Sequence, residues 1–174
     1  MNAILRPTLI ACATLVAAIG TGAPTATAQE AAYLFLDGIS GESTTPTGDG
    51  NAILCVKLTL SGANENAGGA TGGVFTLGPV TCRMQGDRSA PALLQASVEG
   101  APRQAEIRTF RGGQGGPSGV QGFYTLRSQS AIVNSIRFVT SVASGEPPLI
   151  EFELLFQTLE IRHEPSGDAY NFEP

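Results

Sequence analysis

Much of this chain alternates between segments with an apolar residue at every second position and long segments rich in glycine. From Leu54 to Leu60, leucine or valine stands at every even position and a different residue at every odd one. Ile150, Phe152, Leu154 and Phe156 repeat the pattern. Successive side chains of a β-strand point to opposite faces, so this period of two predicts half-buried strands. The chain is therefore predicted to be mainly β.

The remaining strand-like segments and the loops between them extend this prediction over the chain. A strand-like segment at 74–84 follows a glycine-rich loop at 62–73 and is predicted to form a hairpin with the segment that begins at Leu54. After Phe156 the apolar residues change parity, which predicts a β-bulge near 154–156. Many short strands predict a β-barrel or sandwich. The other predicted strands are 33–36, 104–110, 122–129 and 131–142, with loops at 41–51 and 111–119.

One short helix is predicted at residues 89–99. Asp87 or Ser89 can cap its first turn, and Pro91 suits a position where no N–H partner is lost. Gly100 is a favourable end. Its predicted apolar stripe consists of Ala92, Leu93, Leu94, Ala96 and Val98.

The N-terminal 28 residues form the pattern of a cleavable signal peptide. A short segment with one cation, Arg6, precedes an apolar run from Pro7 to Ile19, and small residues lead to Ala28. The apolar run is shorter than the roughly 20 residues that span a bilayer. We predict cleavage after Ala28, a single domain at 29–174 without a membrane span, and a secreted or periplasmic protein. The competing interpretation is a lipoprotein signal with a lipidated Cys12, although few residues precede that cysteine.

Two cysteines, Cys55 and Cys82, remain after cleavage. An even pair in an oxidising compartment indicates a disulfide. Folding the predicted hairpin about its loop brings the two residues close together. The alternative is two buried free thiols. Their spacing does not match a metal site, and no metal or cofactor is predicted.

Charge argues against binding to nucleic acid. The full chain has a net charge of −5, which becomes −6 when Arg6 leaves with the signal peptide. Nucleic-acid and anionic-membrane binding need clustered cations.

Three sequence features are candidates for catalytic sites. The single histidine, His163, stands at the end of a predicted strand with no nucleophile-elbow sequence. Glu151 and Glu153 share a strand face, as paired glycosidase carboxylates can, but also as any amphipathic strand does. Gly112–Gly116 lacks the lysine and the following helix of phosphate-binding loops. A strand-end histidine, a solvated strand face and a flexible loop are the favoured interpretations, so we predict a protein that is not an enzyme.

Three short motifs resemble the haemolysin-coregulated protein (Hcp) family, the tube subunits of type VI secretion. The first is the apolar segment from Tyr33 followed by Asp-Gly-Ile-Ser-Gly-Glu-Ser at 37–43. The second is 87–94, similar to the family's Ser-Pro-x-Leu helix. The third runs from Asn134 through Ser144-Gly145-Glu146 to Pro165 and resembles the family's last hairpin. Together they extend over most of residues 33–172.

The resemblance implies a β-barrel of two antiparallel sheets with one flanking helix. It also implies assembly into homohexameric rings that stack as a tube, with secretion-apparatus or effector proteins as further partners. The loop at 41–51 corresponds to the family's extended loop between stacked rings. The candidate inter-ring residues are Ser43, Thr44, Thr45, Pro46, Thr47, Gly48, Asp49, Gly50 and Asn51.

The signal peptide departs from the family, whose tube subunits assemble in the cytoplasm. The leading hypothesis is therefore a structural, ring-forming Hcp-like protein that is exported. The alternative is a monomeric exported β-domain that binds a carbohydrate, protein or small ligand through its loops.

Overall fold

The computed structural model describes residues 31–64, 75–112, 120–139 and 148–172. The predicted signal peptide, Cys12, Ser144–Glu146 and most of the two glycine-rich loops lie outside these ranges. The described residues form strands β1 (Ala31–Leu36), β2 (Ile53–Cys55), β3 (Lys57–Asn64), β4 (Phe75–Gln85), β5 (Arg103–Gly112), β6 (Val120–Val139), β7 (Leu149–Phe156), β8 (Leu159–His163) and β9 (Ala169–Phe172), with helix α1 (Ala90–Glu99) between β4 and β5.

All pairs of neighbouring strands are antiparallel, and the long strand β6 joins two halves of one sheet. One half has the order β2-β1-β5-β6, with β8 paired to the first part of β6 and β9 paired to β8. The other half has the order β6-β7-β4-β3. β6 takes part in both because its 20 residues pair first with β8 and then with β7. The predicted mainly β, antiparallel fold with one short helix is confirmed, although its described strands form one nine-stranded sheet in two halves and not two separate sheets, and the barrel is not closed.

The predicted bulge near 154–156 is wrong. β7 ends at Phe156, the chain bends at Gln157 and Thr158, and β8 then pairs with the first part of β6. This bend changes the parity of the apolar residues. The irregularity in pairing lies in β6 instead, where the register shifts between Val133 and Ser135.

The segment predicted as one strand from Leu54 is broken at Val56. β2 pairs with β1 and β3 pairs with β4, so the chain passes at Val56 from one end of the strand order to the other. The predicted face is also wrong at this point, since Ile53 and Cys55 are buried whereas Val56 is 53% exposed. Val56 N donates to Arg83 O on β4 at 2.7 Å.

A disulfide lies beside that crossing. It joins Cys55 of β2 to Cys82 of β4, with Cα atoms 5.4 Å apart. We call Cys55, Val56, Cys82 and Arg83 the seam, because they connect the two ends of the sheet. The seam brings the two ends of the sheet close together, although β2 and β3 do not pair as strands.

Helix α1 packs one narrow side onto the core. Leu93 and Ala96 are buried, while Leu94 and Val98 are exposed, so the predicted apolar stripe is correct only in part. Ser89 is the N-cap residue, but its side chain makes no capping bond to the helix. Its hydroxyl donates to Asp87 instead. Gly100 ends the helix with φ +60°, in the left-handed region that glycine tolerates.

The core lies between the two halves of the sheet and the helix. The alternate residues of β7 predicted to share a face do so, and Phe152 is fully buried. Fully burying a side chain of this size contributes roughly 1.5–3 kcal/mol. Other fully buried side chains are Leu34, Ile53, Val80, Met84, Leu93, Ile107, Val133, Ile150, Leu154 and Leu159.

Candidate functional site

The candidate inter-ring loop is closed at its base by backbone hydrogen bonds. Ser43 and Ala52 exchange two of them, each 2.9 Å long. Gly41 N donates to Asn51 O at 2.9 Å. The loop therefore leaves and re-enters the fold at adjacent points.

Within the loop, Thr45 organises a turn. It is buried, and its Oγ1 accepts a hydrogen bond from Asp49 N at 3.0 Å. Thr45 N donates to Asp49 O at 2.8 Å, and Gly48 N donates to Thr45 O at 2.9 Å. Gly48 has φ +96°, which favours glycine. Residues 46–51 are exposed, so an ordered turn and the residues that follow it present these side chains to solvent.

A salt bridge holds the loop against the sheet. Arg108 Nη1 of β5 lies 2.8 Å from Asp49 Oδ2. The Arg108 guanidinium also lies 4.9 Å from the centre of the Phe35 ring and binds Glu106. A hydrogen bond from Thr47, followed by the nearby charge of Arg108, lowers the pKa of Asp49, which keeps it ionised for this contact.

A second arginine joins the loop to the N-terminal end of α1. Arg88 Nε and Nη2 donate to Gly41 O at 2.9 and 2.7 Å, and Nη2 also donates to Asn51 Oδ1 at 2.8 Å. Arg88 N donates to Glu42 Oε1, and Glu42 N donates to Asp87 Oδ2. The first two Hcp-like motifs therefore meet in space and support the base of the loop.

Two open grooves flank the loop. One of about 480 Å³ is lined by residues including Asp37, Asn51, Glu106, Arg127 and Gln129. The other, of about 410 Å³, is lined by residues including Thr47, Arg108, Gln121 and Glu164. Their charges are of both signs, which suits contact with a polar surface.

Glu151 and Glu153 lie on the outer face of β7, and both carboxylates make polar contacts with neighbouring strands. Glu151 Oε2 lies 2.6 Å from Arg83 Nη2, and Oε1 lies 3.2 Å from Arg137 Nη2. Glu153 Oε2 accepts from Ser135 Oγ at 2.9 Å. These contacts are those of an ordered strand face, the interpretation favoured from the sequence.

Stability is expected to fall in acid through Glu151. Its hydrogen bond from Arg83, with the charges of Arg83 and Arg137, lowers the pKa of Glu151 in the folded protein. A lowered folded-state pKa contributes stability above the unfolded pKa and loses it as pH falls through the folded value. Urea denaturation of Glu151→Gln should thus show a smaller loss between pH 7 and pH 3 than the parent protein. An equal loss in both would contradict this role.

His163 lies at the turn between β8 and β9. Its Nδ1 is 2.8 Å from Ser166 Oγ, and that hydroxyl donates to Asp168 Oδ2 at 2.7 Å. In a hydrolytic triad the acid orients the histidine. Here the acid binds the serine instead, and the three residues form a hydrogen-bonded hairpin turn.

The described residues form neither a metal site nor a membrane-spanning helix. No group of three or more His, Cys, Asp or Glu side chains there is arranged to hold a metal ion. Within the same residues, no helix has the length and apolar character needed to cross a membrane. Of the predicted flexible segment Gly112–Gly116, residues 113–116 lie outside the described ranges.

The sequence had indicated the loop but not the arginines that hold it. Arg88 and Arg108 contact residues 47 and 59 positions away, so no local spacing marks them. Both belong to segments whose pattern indicated only a helix start and a strand.

Comparison with known proteins connects these features. A sequence model of the family described as "Type VI secretion system effector, Hcp" matches residues 33–163. A crystal structure of an Hcp protein superposes with a TM-score of 0.71 at 18% identity, covering 83% of this chain and 99% of that one. Hcp1 from Salmonella typhimurium gives 0.66 at 19% identity, covering 82% and 92%. The secreted protein Hcp3 from Pseudomonas aeruginosa gives 0.66 at 18%, covering 83% and 97%. No curated protein matches the chain.

Proposed function

The chain belongs to the Hcp family of type VI secretion system effectors, and we propose from this that it is a structural, non-enzymatic subunit that assembles with copies of itself into six-membered rings. The observation that carries the proposal is the family match over residues 33–163, which includes the loop and the helix start that supports it. This chain covers 99% and 97% of the length of two of the solved Hcp structures that it resembles, which supports the proposal.

The loop at 41–51 supplies a contact between stacked rings in this proposal. Its base is held by Arg88 and its turn by Arg108 and Thr45, while residues 46–51 are exposed. A loop that is ordered before binding loses less conformational entropy on contact. This geometry supports stacking.

Export by the signal peptide is the second part of the proposal. Cleavage after Ala28 would release a domain starting at Gln29, two residues before β1. The cysteine pair in the seam supports an oxidising destination, where disulfides persist. The ring-forming subunit would then act in the periplasm or outside the cell.

Electron microscopy of residues 29–174 tests the role of the loop. Thr44 is exposed at the loop, and Thr44→Arg should leave single rings intact while abolishing stacks, because a bulky cation is placed at the contact between rings. The matched control is Thr76→Arg, at an exposed position of β4. Unchanged stacks for Thr44→Arg, or loss of the rings themselves, would refute the loop's assignment.

A further inference from the structure

A row of charged side chains crosses the outer face of the second half of the sheet. Lys57 of β3 is paired in register with Arg83 of β4, Arg83 with Glu151 of β7, and Glu151 with Arg137 of β6. Neighbouring strands lie about 4.8 Å apart, so four strands place these residues along roughly 14 Å. We call these four residues the cation row.

The cation row contains three cations and only one carboxylate, that of Glu151. Glu151 is the most enclosed member, with a side chain 19% exposed, whereas Arg83 and Arg137 are 39% and 72% exposed. Three cations and one carboxylate give these four residues a net charge of +2, which Glu153 on the same face of β7 reduces to +1, on a chain whose overall charge is −5. The guanidinium groups of Arg83 and Arg137 are therefore accessible to solvent, while the Glu151 carboxylate between them is paired with both.

Three other arginines of the described residues lie beside carboxylates. Arg108 and Arg127 face Asp49 and Glu106. Arg103 pairs with Glu99. The guanidinium group of Arg88 binds uncharged oxygens and that of Arg111 lies over the Phe123 ring, so what distinguishes the cation row is that three cations lie on adjacent strands in register.

The complementary charge lies on a different part of the same chain. The hairpin of β8 and β9 carries Glu160, Glu164 and Asp168 against a single cation, Arg162. With its histidine neutral, this hairpin has a net charge of −2, which Arg127 of β6, paired in register with Glu160, reduces to −1. Glu164 and Asp168 accept hydrogen bonds from uncharged hydroxyls, at Thr125 and Ser166, which leave their negative charge in place.

The two surfaces belong to different strands, as a head-to-tail contact requires. The cation row lies across β3, β4, β7 and the last part of β6, while β8 pairs with the first part of β6. A contact between two different surfaces closes into a ring when its rotation allows. Opposite net charges of equal size favour one orientation of such a contact and speed its formation.

We propose that the cation row of one subunit docks on the β8–β9 hairpin of the next copy of this chain. This inference rests on the proposed ring assembly and names the surfaces that form it. The contact sets the orientation of neighbouring subunits and weakens as salt rises, since exposed charges are screened within about 10 Å at 0.1 M ionic strength.

A charge exchange tests the contact. Arg137→Glu changes the more exposed of the two arginines in the cation row and does not remove the bond between Arg83 and Glu151. We expect it to raise the concentration of half-assembly about tenfold, measured by light scattering, as a loss of about 1.4 kcal/mol would. Adding Glu160→Lys to the same chain restores opposite charges and should recover assembly. Gln95→Glu combined with Val98→Glu makes the same two-unit change in charge at exposed positions of α1 and serves as the control.

The outcomes separate this inference from the proposed function. If the parent protein forms rings and Arg137→Glu assembles equally well, or if the α1 control variant weakens assembly as much, the cation row is not the contact. If the double variant assembles no better than Arg137→Glu, the hairpin is not its partner surface. If the parent protein forms no rings at all, the proposed function fails and this inference fails with it. Circular dichroism of each variant confirms that the fold is retained.

Discussion

Removing the Cys55–Cys82 disulfide is expected to lower the free energy of unfolding by about 3.5 kcal/mol, because the unfolded chain gains the entropy of opening a loop of this length. Cys55 and Cys82 are 27 positions apart in the sequence and lie at the seam, where the two ends of the sheet meet. Cys55→Ala with Cys82→Ala removes the bond without burying new hydroxyl groups. Urea denaturation of this variant and of the parent protein measures the difference.

The effect of a reductant on the stability of each protein provides the control. Dithiothreitol should destabilise the parent protein and leave the double alanine variant unchanged, because only the parent has a bond to reduce. Mass spectrometry of the unreduced protein should show a deficit of two hydrogen atoms and a chain starting at Gln29. Two thiols that alkylate without reductant would contradict the disulfide.

Gly41→Ala is expected to destabilise the fold by about 3 kcal/mol, at the upper end for an overpacked site. A Cβ atom at Gly41 would lie 2.1 Å from Ala52 O and 2.7 Å from Ile53 N. Both atoms are backbone, so no side-chain rotation relieves the contact. The same glycine carbonyl binds Arg88, so its displacement also weakens the support of the loop.

Gly50→Ala is the matched control in the same loop. A Cβ atom at Gly50 would have no neighbour within 4 Å, so its effect should stay within about 0.5 kcal/mol. Thermal and urea denaturation of both variants measure the difference. Similar stabilities for the two variants would show that the base of the loop tolerates a side chain and that Gly41 is not required by packing.

Local sequence patterns predicted the elements whose two faces meet different surroundings. β7 has its core on one side and polar contacts on the other, so the apolar positions led by Phe152 marked both the strand and its buried face. The end of α1 at Gly100 followed from the conformational preference of glycine. In each case the determining interactions lie within a few residues.

The sequence-based predictions were wrong where the pairing of distant strands determines which residues are buried and where a strand ends. A period of two shows that two faces differ, but which of them meets the core at Ile53 and Cys55 depends on β1 and β4. The break at Val56 has the same origin, since it follows from the strand order and not from its neighbours in sequence. The cation row likewise depends on the register of four strands that the chain visits out of order.

The candidate loop could be located because its motif resembled a family, while its structural basis could not. The Gly-Glu-Ser segment and the start of α1 were recognised separately. Their contact through Arg88 explains why both occur at these positions relative to one another.

Light scattering coupled to size-exclusion chromatography on residues 29–174 tests the central claim most directly. Across a concentration series at low salt, we expect a species with six times the mass of the single chain. A strict monomer at the highest concentration would contradict ring formation and favour the monomeric, ligand-binding alternative.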